Sequence, residues 1–264
     1  MTRIVSGAVL VAFALVAVWW SPHWLFLLLA CGVVWLAVWE LGAMSSTRGQ
    51  QLPLPFVALL ACAVVTTFAP VAVGVVVPLE VVLLAGLVGL GALSLPVWKD
   101  GRDAVAMFSE SLLPALYLGL PVGALVAIRE REGAGALFLL MLTVMVSDSA
   151  QYFTGRALGR RPLAPRISPK KTIEGAAGGV VCGAATLAIA GHWWLPSMPL
   201  PWRLGLGVAI VALGIVGDLF ESMLKRGVGL KDSGTIIPGH GGILDRFDAL
   251  LFTAPAYYLL LRYV

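Results

Sequence analysis

Apolar residues run along this chain in long blocks separated by short polar stretches, without the sustained alternation that marks a half-buried strand. Windows of about 19 residues resolve nine segments: residues 4–20, 24–39, 56–77, 81–98, 104–128, 134–152, 173–191, 204–224 and 243–261. An α-helix needs about 20 apolar residues to cross a bilayer, so the pattern predicts an all-α, polytopic transmembrane bundle of about nine spans. Pro70, Pro78 and Glu80 blur the division between the third and fourth segments, and Glu110 with Pro114 suggests an interfacial first turn for the fifth. Trp19, Trp20, Trp24, Trp39, Trp98, Trp193, Trp194 and Trp202 fall at segment ends, where amphipathic rings prefer the headgroup level.

Composition removes the soluble alternatives. The 264 residues are 59% hydrophobic and 12% charged, with a mean hydropathy of +0.94, too few charges to cover a soluble surface. The chain reads as one integrated membrane domain: N-terminal helices over residues 1–133, about five spans, and a C-terminal membrane region over 134–264, about four, with loops at 153–172 and 225–242. The first apolar run is expected to be a helix of the mature protein, not a signal peptide, because a second follows after only Ser21-Pro22-His23. Cys31, Cys62 and Cys182 lie in different apolar runs without metal-ligand spacing and are expected to be buried small hydrophobes. In the nine-span arrangement, 14 of the 18 Lys and Arg share the side of the N-terminus, which predicts that this side is cytoplasmic. A net charge of +4, concentrated there, suits anionic lipid and an anionic soluble substrate.

The first half is polar only at its loops and offers no chemistry. The second half holds 18 of the 32 charged residues, between Asp148 and Asp248. Asp218, Ser222 and Lys225 follow at i, i+4 and i+7, one stripe of a membrane helix, with Glu221 and Arg226 beside them. Glycines at 227, 229, 234, 239, 241 and 242 allow a backbone nest for anions. Asp245 and Asp248, at i and i+3 on the opening turn of the last segment, can point together at a divalent ion; hard oxygens without thiolates suit Mg²⁺ or Mn²⁺. The basic loop from Arg156 to Lys171, preceded by Asp148, Gln151 and Tyr152, makes a candidate second wall of a polyphosphate site, and Thr172 or Ser168 is placed to cap the following helix.

Ser222, Lys225-Arg226, Lys231-Asp232, Gly234, Ile237-Pro238-Gly239-His240-Gly241-Gly242, Asp245-Arg246 and Asp248, unbroken over 27 residues, resemble the C-terminal signature of the phosphatidate cytidylyltransferases. The stretch from Asp148 to Gly175 resembles that family's middle region, with Gln151 where a small residue is usual. The resemblance covers about the last 120 residues. It implies a polytopic enzyme of phospholipid biosynthesis in the inner (plasma) membrane, active site toward the cytoplasm. It would transfer the cytidylyl group of CTP to phosphatidic acid with a divalent metal, as a homodimer and without nucleic acid.

On that basis Asp218, Asp245 and Asp248 are the expected metal ligands. Lys225, Arg226, Lys231 and Arg246 would neutralise phosphate, while Ser222, Gly239, Gly241 and Gly242 donate hydrogen bonds. Asp232 belongs to the same catalytic set, and His240 is expected to position its loop. Lys171 and Ser168 are further phosphate contacts, and Asp148 would orient polar groups or hold a second cation. Two other functions are weaker readings: CTP-dependent transfer to another lipid phosphate or a polyprenol, which the bacterial-type signature disfavours, and transport along intramembrane acids, which here cluster in one half of the chain.

Overall fold

A computed structural model describes residues 2–95, 101–237, 239 and 241–263. The chain is an all-α membrane protein apart from one small hairpin. Its helices are α1 (Thr2–Trp20), α2 (His23–Ser46), α3 (Leu54–Thr67), the one-turn α4 (Pro70–Val73), α5 (Leu79–Ser94), α6 (Gly101–Pro114), α7 (Leu120–Arg131), α8 (Gly133–Leu158), α9 (Ile173–Trp194), α10 (Leu200–Gly227) and α11 (Leu244–Tyr263). Among the described residues, five stretches are long and apolar enough to cross a membrane: His23–Ser46, Ala104–Arg131, Gly133–Leu158, Ile173–Trp194 and Leu200–Gly227. The surface is correspondingly apolar, with Phe13, Leu28, Val88, Val181 and Ile189 all more than half exposed, as lipid rather than water requires.

Several boundaries differ from the hydropathy pattern. The third segment is not one helix: Phe68 and Ala69 separate α3 from α4. Pro70, lacking an N–H and disfavouring helix in the residue before it, restarts the helix at its first position. The fifth segment is continuous, but α6 and α7 are joined by a π-helical turn, Ala115–Gly119, directly after Pro114. Pro114 cannot donate to the carbonyl one turn back, so the ladder re-registers there. The basic loop is shorter than expected, because α8 continues to Leu158 and an antiparallel hairpin follows, β1 (Pro162–Ala164) with β2 (Ser168–Thr172). Cys31 and Cys62 are half-buried and free, but Cys182 is exposed on α9 rather than buried.

The chain forms two compact units. The first comprises Met1–Glu130 with Asp232–Asp245, the second Arg131–Lys231 with Arg246–Val264. In the first, Arg129 is buried yet satisfied. Its Nε donates to the Val18 carbonyl at 2.9 Å, its Nη2 donates to Ser21, and its guanidinium lies 4.7 Å from the Phe26 ring centroid. The cation thus serves carbonyls that α1 leaves open at its C-terminus. Glu130 does the converse for α4, accepting from the backbone N–H groups of Val71 and Ala72 at 3.2 and 3.1 Å.

In the second unit α9 packs along α8 and α10. Its buried Gly175, Gly179 and Gly183 recur every four residues, the small-residue stripe that lets membrane helices approach closely. Thr172 caps α9, its Oγ1 accepting from the Gly175 N–H at 3.1 Å. Across the other face, a Cβ at Gly207 would lie 2.6 Å from the Cα of Ala184, against backbone that cannot yield. Gly207→Ala should therefore destabilise the unit by about 1–3 kcal/mol, read as a lowered melting temperature in detergent.

Candidate active site

Four elements of the second unit carry the polar side chains: Asp148 and Gln151 on α8, Lys171 on β2, Asp218 to Arg226 on α10, and Asp248 on α11. Lys171 and Asp218 form an ion pair. The Ser222 hydroxyl points at Asp218 Oδ1 at a long 3.4 Å, following the predicted i, i+4 stripe. The charges of Asp148, Asp218 and Asp248 act on one another and on Lys171. Gln151 anchors Asp148, its Nε2 donating to Asp148 Oδ1 at 3.1 Å and to Ser147 Oγ at 3.2 Å. A Cβ at Gly179 would strike the Gln151 side chain, so the larger residue is accommodated by the absence of one opposite it. α11 comes close at Gly217, where a Cβ would stand 2.5 Å from the Asp248 carbonyl.

One turn further on α10 lies a buried ion pair. Glu221 is fully buried, Lys225 is 7% exposed, and Lys225 Nζ stands 2.5 Å from Glu221 Oε2. The sequence pattern noted Glu221 only as a flank of the stripe; here it is the partner that allows Lys225 to stay charged away from water. Arg226, Lys231 and Arg246 are exposed. Arg226 Nη1 also donates to the Leu230 carbonyl at 2.7 Å, just beyond the C-terminus of α10. Ser168 opens β2 and is half-buried.

Asp245 belongs to the first unit and sits in a different environment. Its Oδ2 accepts from the Ser233 N–H at 2.9 Å, the Ser233 hydroxyl at 2.9 Å and the Gly242 N–H at 2.8 Å. Ile237 pairs with Gly241, its N–H donating to the Gly241 carbonyl at 3.0 Å, and the turn between them needs positive φ at Gly239 (78°) and Gly241 (82°). Asp232 is exposed at the start of this segment. His240, and Pro238 before it, lie outside the described residues.

Glu40, which hydropathy placed just past the second segment, is the residue that sequence reasoning missed. α2 continues through it to Ser46, and its carboxylate accepts from the Ile243 and Leu244 N–H groups and the Ser233 hydroxyl. In the glycine-rich segment the N–H groups of residues 242–244 donate to the carboxylates of Glu40 and Asp245. The only sequence signal was an acid breaking the run Val33 to Leu41.

As a donor set for a divalent metal, Asp148, Asp218 and Asp248 are hard oxygens, and with Lys171 they leave two negative charges uncompensated when ionised. That chemistry fits Mg²⁺ or Mn²⁺. Among the described residues, no three His, Cys, Asp or Glu side chains stand at ligating spacing.

The fold and these side chains define a helical membrane protein whose ionisable side chains lie on α8, β2, α10 and α11 and, separately, in one glycine-rich segment. A family model described as the cytidylyltransferase family matches residues 1–264, and the chain belongs to that family. The phosphatidate cytidylyltransferase of Bacillus subtilis is 42% identical over 153 residues, 56% of this chain and 56% of that protein. The protein of the same name from Helicobacter pylori is 42% identical over 159 residues, 60% and 59% of the two chains. Escherichia coli YnbB, named as uncharacterized, is 46% identical over 127 residues, 48% of this chain and 42% of its own. The chain thus aligns with little more than half the length of the first two relatives.

Removing one member of the Glu221–Lys225 pair takes the ion-pair partner from a buried charge, at a cost of about 3–5 kcal/mol. Glu221→Gln should lower the melting temperature in detergent markedly, and adding Lys225→Met should restore much of the loss, because the double variant strands no charge.

Proposed function

We propose that the chain transfers the cytidylyl group of CTP to phosphatidic acid, releasing pyrophosphate and leaving CDP-diacylglycerol in the membrane for phospholipid synthesis. The observation that carries this reading is the match of all 264 residues to the cytidylyltransferase family. The names of the Bacillus and Helicobacter relatives support the choice of acceptor. So does the gathering of Asp148 on α8, Lys171 on β2, Asp218 on α10 and Asp248 on α11 within electrostatic reach of one another.

The topology that suits this chemistry has about nine spans and a cytoplasmic N-terminus in the inner membrane, with the basic segments facing soluble CTP. Residues 134–264 form the catalytic region, and the working form is a homodimer. In the reaction an anionic phosphate oxygen of phosphatidate attacks the α-phosphorus of CTP. The new O–P bond forms as the bond to the β-phosphate oxygen breaks, and the electron pair leaves with pyrophosphate. An oxygen already anionic needs no strong base, so the protein's contribution is positioning and charge neutralisation.

Arg226, Lys231 and Arg246 are the exposed cations for pyrophosphate or the lipid phosphate; Lys225, held by Glu221, and Lys171 with Ser168 add to them. Ser222 and the Gly239, Gly241 and Gly242 segment orient phosphate oxygens, Asp232 belongs to the same set, and His240 positions its loop. On the sequence motif, Mg²⁺ or Mn²⁺ would be held by Asp218, Asp245 and Asp248, with Asp148 available for a second cation. Once bound it would neutralise charge on the nucleotide phosphates.

The test is purified full chain in detergent with labelled CTP, Mg²⁺ and phosphatidate. CDP-diacylglycerol and pyrophosphate are expected in equal amounts, and Asp245→Asn should abolish both while still inserting and folding. Product only with another lipid phosphate or a polyprenyl phosphate would change the acceptor. Failure to consume CTP with any acceptor would refute transfer, and full turnover by Asp245→Asn would refute the metal role.

A further inference from the structure

Glu40 has no part in the transfer just described, yet it is only 4% exposed and more heavily hydrogen-bonded than a stray acid in an apolar helix would be. Oε2 accepts from the Ser233 hydroxyl at 2.8 Å and the Leu244 N–H at 3.0 Å, and Oε1 from the Ile243 N–H at 2.8 Å. These donors come from the two ends of the segment 233–244, so one carboxylate on α2 ties both ends together. A Cβ at Gly234 would lie 2.8 Å from Glu40 Oε1, and one at Gly242 would overlap both Glu40 oxygens. Two of the segment's glycines are thus explained by room for this side chain. Ser233, itself 5% exposed, bridges onward: its hydroxyl also faces Asp245 Oδ2, to which its own N–H donates. A hydroxyl has one hydrogen to give, so Glu40 and Asp245 share it, and the placement of either carboxylate depends on the other.

We propose that Glu40 is a positioning residue for the reaction: its buried carboxylate pins the 233–244 segment and, through Ser233 and Leu244, fixes the carboxylate of Asp245. The inference rests on the cytidylyl-transfer reading for the consequence in turnover, while the pinning itself rests on the hydrogen bonds alone. Glutamine at this position keeps one acceptor oxygen but turns an NH₂ toward a donor, so at least one of the three contacts must break. Aspartate keeps both acceptors on a stem one methylene shorter.

The experiment compares full-length wild type, Glu40→Gln, Glu40→Asp and Ser233→Ala in detergent by hydrogen exchange and by CDP-diacylglycerol formation. Exchange over 233–244 should accelerate roughly tenfold or more in Glu40→Gln, while α8, α9 and α10 keep wild-type protection. Turnover should fall by a similar factor, mainly in kcat with KM for CTP little changed, and Glu40→Asp should recover part of both. Unchanged exchange over 233–244 in Glu40→Gln overturns the pinning, and wild-type kcat in a variant whose segment has loosened overturns the positioning role. If wild type forms no CDP-diacylglycerol, the transfer reading falls and exchange alone decides whether Glu40 pins the segment. Should Glu40→Gln fail to fold, Glu40→Asp and Ser233→Ala carry the same two readouts with the same expected directions.

Discussion

An ion or hydrogen-bonding group taken out of water is tolerated only when another part of the chain satisfies it, and with 12% charged residues this chain has few groups to spare. Among the described residues, Arg129, Lys225 and Glu40 are each matched within their own unit. Arg129 meets the carbonyls at the end of α1, and Lys225 sits on Glu221. Glu40 takes three donors from a segment almost two hundred residues away in sequence. These contacts do more than cancel a penalty. They specify which turn closes against which helix, information that apolar faces, each much like the next, carry poorly.

Close approach is the second requirement, and small residues supply it. The stripe Gly175, Gly179 and Gly183 brings α9 against its neighbours, and Gly217 admits the α11 backbone. The polar groups of α8, α10 and α11 lie within electrostatic reach because their helices can approach so closely. Gly234 and Gly242 play the same part around Glu40 in the other unit. A glycine-rich sequence that suggests a flexible phosphate loop therefore also has a packing explanation.

The carboxylates fall into two kinds. Asp218 pairs with Lys171, and Asp148 and Asp248 lie within electrostatic reach of both. Asp245 has one oxygen committed to three donors and is half-buried in the glycine-rich segment. Equal acids in a linear motif thus differ in how much chemistry they have left to offer.

The membrane character, most helix positions and the Thr172 cap were legible in the sequence, because each depends on local periodicity, on length against bilayer thickness or on a side chain reaching three residues along. The i, i+4 relation of Asp218 and Ser222 was legible for the same reason, since helix geometry fixes it. Pro70 and Pro114 were visible, but not whether a proline would break a segment or merely re-register its ladder; that turns on which carbonyls find other donors nearby. Least legible was Glu40. Nothing local distinguishes a lone acid near the end of an apolar run from an interfacial one, and its role exists only because tertiary folding brings residues 233 and 242–244 to its two oxygens. Sequence alone determined where this protein could live and which residues could do chemistry; the tertiary structure decided which were already spoken for, because hydrogen bonds between distant segments leave no periodic trace in the chain.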